Sequence, residues 1–211
     1  MISEDRAKQV LLDDLNVSRE TLADLEKMVE LLIKWNKAIN LVGKSTTDSI
    51  WARHILDSAQ MWTQRPENLT SWVDLGSGGG FPALVLAILG KAQAPSACFH
   101  MIESDARKCV YLRNVSRETS LNTKIHTVRI ESTASIKADV VSARALASVE
   151  TLLSFSEKFL TNNAFCLFLK GQACDTEEEK ARESWSFQSE KIKSISDDTG
   201  SILKIWNLKR A

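Results

Sequence analysis

Apolar residues recur with two different periods along this chain, and the change of period falls near residue 70. Ser18 is a good helix cap, and after it Leu22, Leu25, Val29, Leu32, Trp35 and Ile39 return every three or four positions. That spacing predicts one amphipathic helix of about six turns. A further helix is predicted to begin near Thr46 or Thr47 and to carry Ile50, Trp51, Ile55, Ser58 and Trp62. Pro66 and the polar run through Ser71 then stop the pattern. Beyond them, short apolar runs at 71–75, 98–102, 124–128, 139–142 and 164–169 alternate with helical patterns that start near Gly80, Ser104, Ala147 and Thr176. Such alternation predicts βαβ units and a mainly parallel sheet covered on both faces. At the end, 185–195 and 201–208 alternate every two residues around a polar turn at Asp197 to Gly200, which predicts an antiparallel hairpin. The fold class is therefore α/β, with a helical cap over 1–70 and the sheet domain over 71–211.

Composition narrows this only a little. A chain of 211 residues, 44% hydrophobic and 26% charged, is expected to fold as one catalytic-sized unit with a small appendage. Lys plus Arg equals Asp plus Glu at 27 each, so a nucleic-acid partner needs a local basic face. Cys98, Cys109, Cys166 and Cys174 form no C-x-x-C pair and have no His at zinc spacing, so reduced thiols and no bound metal are expected. After Met1 the chain lacks the basic start and apolar run of an export signal, and no apolar stretch reaches about 18 residues. A cytoplasmic protein without a membrane span is the expectation.

The stretch from Trp72 to Pro82 carries the most chemistry: an apolar strand, Asp74, then Gly76, Ser77, Gly78, Gly79, Gly80 and Phe81 before a helix. Glycine has no Cβ, so a backbone of this kind turns sharply, lets a ligand lie against it and presents N–H groups at the helix start. A dinucleotide-binding loop needs its third glycine where Phe81 stands, and no Gly-Lys-Ser/Thr follows for a phosphate loop. Alternating glycines after an acidic strand end resemble the first motif of class I S-adenosylmethionine-dependent methyltransferases, in which the carboxylate, here Asp74, helps orient the amino-acid end of the cofactor. A plain tight turn is the alternative. Glu103 closes the next strand, where a carboxylate accepts from both ribose hydroxyls of an adenosine, or else is simply solvated. Ile130 and Glu131 follow the third strand, where such folds wall in an adenine; an exposed loop is the other reading of Glu131.

Three further segments narrow the likeness: 35–41 with Trp35, Asn36 and Asn40, 53–58 with Arg53 and His54, and 139–145 with Arg144, together with Leu169, Lys170 and Gly171. In order and placement around the Gly-rich turn they resemble the RsmG (GidB) family of small-subunit ribosomal RNA guanine-N7 methyltransferases. The resemblance covers nearly the whole chain. It implies a Rossmann-like, mainly parallel seven-stranded sheet with an antiparallel last strand and an N-terminal helical extension. It also implies S-adenosylmethionine as cofactor, Gly76, Phe81, Ile130, Glu131 and Arg144 at cofactor-binding positions, and one guanine of 16S rRNA as substrate. Two departures stand out: Ala83 where the family often has Gly, and Ala143 where a Ser usually precedes the Arg.

Guanine N7 carries a lone pair and no proton, so such a reaction needs no general base. Positioning dominates, with the nitrogen held in line at about 3 to 3.5 Å from the methyl. Arg144 and Lys170 close the fourth and fifth strands, at the sheet edge where open α/β folds bind ligands. There Arg144 is expected on the cofactor or the guanine edge and Lys170 on RNA phosphate, although either also reads as a salt-bridge partner. Trp35, Asn36, Asn40, Arg53 and His54 are candidate RNA contacts, with Lys34, Lys37 and Lys44 nearby. Against this, Trp35 lies on the apolar stripe, and Arg53 and Asp57 are spaced to pair on one helix face. Arg107, Lys108, Arg113 and Arg117 form a second basic run. His100 and His126 fall within strands and read as structural. Two other functions remain open: a small-molecule methyltransferase on the same fold, and a non-catalytic protein that binds the cofactor or RNA during ribosome assembly. A monomer is expected.

Overall fold

The structure, a computed structural model, describes residues 2–211, except for the side chains of residues 44 and 45, so Lys44 as a candidate cation lies outside the described residues. Helix α1 (Glu4–Asp13) starts at Ser3, whose hydroxyl accepts from Arg6 N, and buries Ala7, Val10 and Leu11. Helix α2 (Arg19–Asn36) is capped by Ser18 as the sequence predicts and buries Leu25, Met28, Val29 and Leu32. It stops before Ile39 because Asn36 turns its Oδ1 onto Leu41 N (2.8 Å) and Val42 N (3.1 Å), which redirects the chain. This is the side-chain-to-backbone competition that makes Asn a helix terminator.

The predicted second helix is an uneven helical run. A 3-10 stretch (Lys44–Ser49) leads into a π-helical turn (Trp51–Leu56), then α3 (Asp57–Ala59) and a second 3-10 stretch (Gln60–Gln64). Ile50, Trp51, Ile55, Ser58 and Trp62 are all buried, as their spacing requires. The Glu4 carboxylate of α1 accepts from Trp51 N and Ala52 N, both at 3.0 Å, and so caps the π turn from a distant helix. Widened turns of this type gather at functional sites.

Seven strands follow: β1 (Ser71–Leu75), β2 (Cys98–Glu103), β3 (Thr123–Thr127), β4 (Ala138–Arg144), β5 (Leu160–Lys170), β6 (Trp185–Lys193) and β7 (Ser201–Arg210). Their order across the sheet is β3-β2-β1-β4-β5-β7-β6. Only β7 runs antiparallel to its neighbours. Helices α4 (Ala83–Gln93) and α5 (Ala106–Glu118) pack with the N-terminal helices on one face, and α6 (Val149–Ser156) and α7 (Cys174–Ala181) on the other. Gly76, Gly78 and Gly80 hold φ of +66°, +50° and +87°, so α4 cannot begin at Gly80 and begins at Ala83. Strand β5 starts before the predicted 164, because its first polar residues, Thr161, Asn162 and Asn163, lie on the surface and break the apolar pattern. The N-terminal helical run and the sheet share one core: Trp62 of that run stacks toward Trp72 of β1, at 6.3 Å between ring centroids. Among the described residues no helix is long and apolar enough to cross a membrane.

Candidate active site

Two cavities open along the carboxyl edge of the sheet, and Arg144 borders both. The first, about 610 Å³, lies over the loop after β1. That loop is stitched to β2 by Gly76 N and Ser77 N, which both donate to Ile102 O (2.9 and 3.1 Å). Gly76 needs its glycine for its left-handed φ of +66°, while an added Cβ would also press on the end of the Leu146 side chain, 2.8 Å from Cδ1, which can shift. A Cβ on Gly79 would meet Leu41 O at 2.8 Å, so the loop 41–43 lies directly on the Gly-rich turn and walls the same cavity.

Glu103 forms part of the cavity wall. Its Oε2 accepts from Gly78 N (2.9 Å) and its Oε1 from Asp105 N (2.8 Å). A carboxylate offers about four lone-pair sites, so Glu103 keeps acceptor capacity for a ligand while it fixes the Gly-rich loop. Ile130 and Glu131 line the opposite wall. Lys158 pins that wall by donating to Ile130 O (2.6 Å), Glu131 O (3.1 Å) and Thr133 O (3.0 Å).

Asp74 sits beneath the loop, fully buried and off the cavity wall. Trp72 Nε1 donates to Ser142 Oγ (2.9 Å), and Ser142 donates to Asp74 Oδ1 (2.6 Å). Oδ2 of Asp74 has no hydrogen-bond partner, and burial pushes the carboxyl up to about 7. Ala143 faces the apolar core on the other side of the sheet from Ser142 and Arg144, so a hydroxyl at that position would point away from Arg144. Ala83 opens α4 fully buried, a place where a methyl group is accommodated.

The second cavity, about 410 Å³, is bordered by Arg53, Asp57, Arg144, Lys170, Glu177 and the hairpin loop at Ser196 and Asp197. Arg144 is held on two sides. Its Nη2 donates to His54 Nδ1 (2.7 Å), and Nη1 lies 3.5 Å from Asp57 Oδ2. Asp57 also accepts from Ser196 Oγ (2.7 Å) and Gln60 Nε2 (3.1 Å). Burial raises the Asp57 carboxyl and lowers the Arg144 guanidinium, and their mutual attraction opposes both shifts. Lys170 is paired with Glu177 and donates to Ala147 O (3.0 Å).

Of the other residues singled out by sequence, His54 is buried between the rings and charges of this junction and not on the surface. Trp35 packs edge-on against Tyr111, Asn36 is spent on the turn that forms loop 41–43, and Asn40 and Arg53 are exposed. The basic run on α5 divides. Lys108 lines the first cavity, Arg107 pairs with Asp105, Arg113 donates to Thr127 Oγ1, and Arg117 pairs with Glu118. Residues that sequence reasoning missed are Leu41 to Gly43, Leu146 and Lys158; no local sequence signal marks them, and the left-handed φ of +49° at Ala145, which sets the turn after β4, is visible only in the structure.

The sequence profile of the GidB family, described as rRNA small subunit methyltransferase G, matches residues 21–203. Among curated proteins, ribosomal RNA small subunit methyltransferase G of Parvibaculum lavamentivorans is 48% identical over 195 residues, which cover 92% of this chain and 86% of that protein. The protein of the same name from Cereibacter sphaeroides is 45% identical over 198 residues, 94% of this chain and 96% of its own. Among solved structures, the ribosomal protein L11 methylase of Lactobacillus delbrueckii subsp. bulgaricus superposes with a TM-score of 0.56 at 13% identity, covering 78% of this chain and 79% of its own. TYW2 of M. jannaschii in complex with AdoMet gives 0.54 at 16% identity, over 75% of this chain and 76% of its own. At such identities the likeness speaks for the fold.

Proposed function

We propose, from the premise that this chain belongs to the GidB family, that it transfers a methyl group from S-adenosylmethionine to N7 of a guanine in 16S rRNA of the small ribosomal subunit. The observation that carries this reading is the first cavity, where the Gly-rich loop and the Glu103 carboxylate meet at one edge of the sheet.

The residues present fit the cofactor. The turn at Gly76, Ser77 and Gly78 leaves room for close approach, and Glu103 retains acceptor sites for a ribose diol. Ile130 and Glu131 would flank the adenine, Phe81 and Arg144 the reacting end, and Asp74 would act on the amino-acid end from beneath the loop. When bound, S-adenosylmethionine supplies an electrophilic methyl group on a cationic sulfur. The acceptor nitrogen brings its own lone pair, so no side chain has to remove a proton. His54, whose Nδ1 already accepts from Arg144, is in any case not free to serve as a base. What remains for the chain is to bind, orient and exclude water, the contribution that proximity makes to a bimolecular transfer. Arg144 and Lys170, both at the second cavity, would orient the guanine and its phosphate. The 1–70 helical cap would supply loop 41–43 as one wall over the cofactor.

Incubation of the purified chain with methyl-labelled S-adenosylmethionine and small ribosomal particles from a strain lacking it tests the reading. Label in 16S rRNA at guanine N7 supports it. Label only in small molecules points to another acceptor, and no label at all points to a binding protein.

A further inference from the structure

Three hydrogen bonds run in series from Arg144 to the loop over the first cavity. Arg144 Nη2 donates to His54 Nδ1 at 2.7 Å, and a guanidinium has no acceptor, so Nδ1 carries no proton. The ring proton therefore sits on Nε2, which donates to Thr46 Oγ1 at 2.9 Å. The Thr46 hydroxyl in turn donates to Gly43 O at 2.8 Å. Gly43 walls the first cavity, Thr46 the second, and Arg144 and His54 both. The imidazole stacks on Phe81, with 4.8 Å between ring centroids and 27° between planes, and the Arg144 guanidinium lies 5.8 Å over the same ring.

We propose that His54 is a positioning residue that acts through Arg144, holding the guanidinium at the junction of the two cavities and tying it to loop 41–43. This rests on the methyl-transfer reading above. A protonated ring would set two cations 2.7 Å apart, and burial, with Arg144 and Arg53 nearby, holds His54 down to about 3. The ring is thus a fixed acceptor across the neutral range. Arg144 has little other support: Asp57 Oδ2 is 3.5 Å from Nη1, and Nη1 has no hydrogen-bond partner.

A double-mutant cycle on the full-length protein tests this. His54→Phe keeps a flat ring against Phe81 and removes both nitrogens, whereas His54→Asn restores an acceptor near the Nδ1 position. Transfer to small ribosomal particles is measured for both variants, for Arg144→Ala and for the His54→Phe, Arg144→Ala pair, alongside Tm and calorimetric uptake of S-adenosylmethionine. The expected result is a kcat at least about tenfold lower for His54→Phe with an RNA KM within about threefold of wild type, and substantial recovery in His54→Asn. The pair should be no slower than Arg144→Ala alone, because the two residues act as one unit. Losses that multiply in the pair, equal losses in His54→Phe and His54→Asn, or a raised KM at unchanged kcat would each overturn the proposal; the last result would make His54 a direct RNA contact. If His54→Phe does not fold, Thr46→Val cuts the same relay one bond further on. Its smaller loss must likewise vanish in an Arg144→Ala background. If the wild type labels no rRNA, the functional reading fails instead. The cycle is then read in cofactor uptake, where the same non-additivity is expected and additive losses, or no effect of Arg144→Ala, sink the positioning role.

Discussion

The two cavities are neighbours but are built by opposite means. The first rests on backbone: one continuous loop, 76–82, with its shape set by left-handed glycines and by Glu103 across a single strand pair. The second rests on side chains from separate segments, with His54 meeting Arg144 across 90 residues of chain, Asp57 joining the same guanidinium, and Lys170 at the end of β5 pairing with Glu177 of the following helix. A backbone-shaped site tolerates change around it and fails when the chain cannot turn. A side-chain-shaped site fails whenever one member of its network is removed, because the remaining buried charges lose their partners.

Variants at each cavity sharpen that contrast. The largest effect is expected from Arg144→Ala, which should lower methyl transfer by about 100-fold or more while cofactor uptake falls far less. Comparing kcat with calorimetric affinity checks it, and equal losses in both would erase the division between the cavities. Glu103→Ala should weaken cofactor uptake by roughly 10- to 100-fold, since it removes a charged acceptor from the cavity and the anchor of Gly78 N. Gly76→Ala should cost about tenfold in uptake, because its left-handed φ of +66° is strained for any residue with a Cβ. The contact itself, with the end of the flexible Leu146 side chain, is relieved by a small movement of that side chain. Gly171→Ala, beside the second cavity and with nothing within 4 Å of the added methyl, should leave uptake unchanged.

The smallest effect is on stability against pH. His54 and His100 ordinarily titrate at 6.5, and burial holds them down to about 3 and about 4 in the folded chain. The unfolded chain therefore takes up their protons first, and stability falls as pH drops below 6.5 toward 4. Asp74 has the opposite sign. Burial raises it from 3.8 to about 7, so its contribution is full below 3.8 and is lost as pH rises through 7. Tm measured from pH 4 to pH 8 should fall on the acid side by an amount on the order of 5 °C. Asp74→Asn, which keeps an acceptor for Ser142, removes this opposing slope between pH 3.8 and about 7 and should therefore steepen the fall in Tm on the acid side while leaving the profile above pH 7 unchanged.

The same contrast explains what could be read from the sequence. The alternation of apolar runs and helical periods located every strand of the sheet, and the Gly-rich loop with Glu103 was legible because it is contiguous and its residue types have few other uses. Strand β5 was shortened by its exposed Asn162 and Asn163, and α4 was begun too early at Gly80, where positive φ forbids a helix. Helix α1, with Ala7, Val10 and Leu11 spaced for one face, went unmarked individually within the helical region. The second cavity was legible only as isolated residues. Arg53 and Asp57 look like a helical pair by spacing, yet the π turn carries Asp57 inward to Arg144, Gln60 and Ser196. Nothing in a local window distinguishes Asn36 as an RNA contact from Asn36 as the residue that ends α2. Its two bonds to Leu41 N and Val42 N exist only once the chain has turned.

Titration calorimetry of the folded, purified chain with S-adenosylmethionine bears most directly on the account, because every step assigned here begins with that compound in the first cavity. Uptake of one molecule per chain is expected, competed by the demethylated product and weakened in Glu103→Ala. Absence of uptake of either compound, with small-subunit RNA also present, would contradict it.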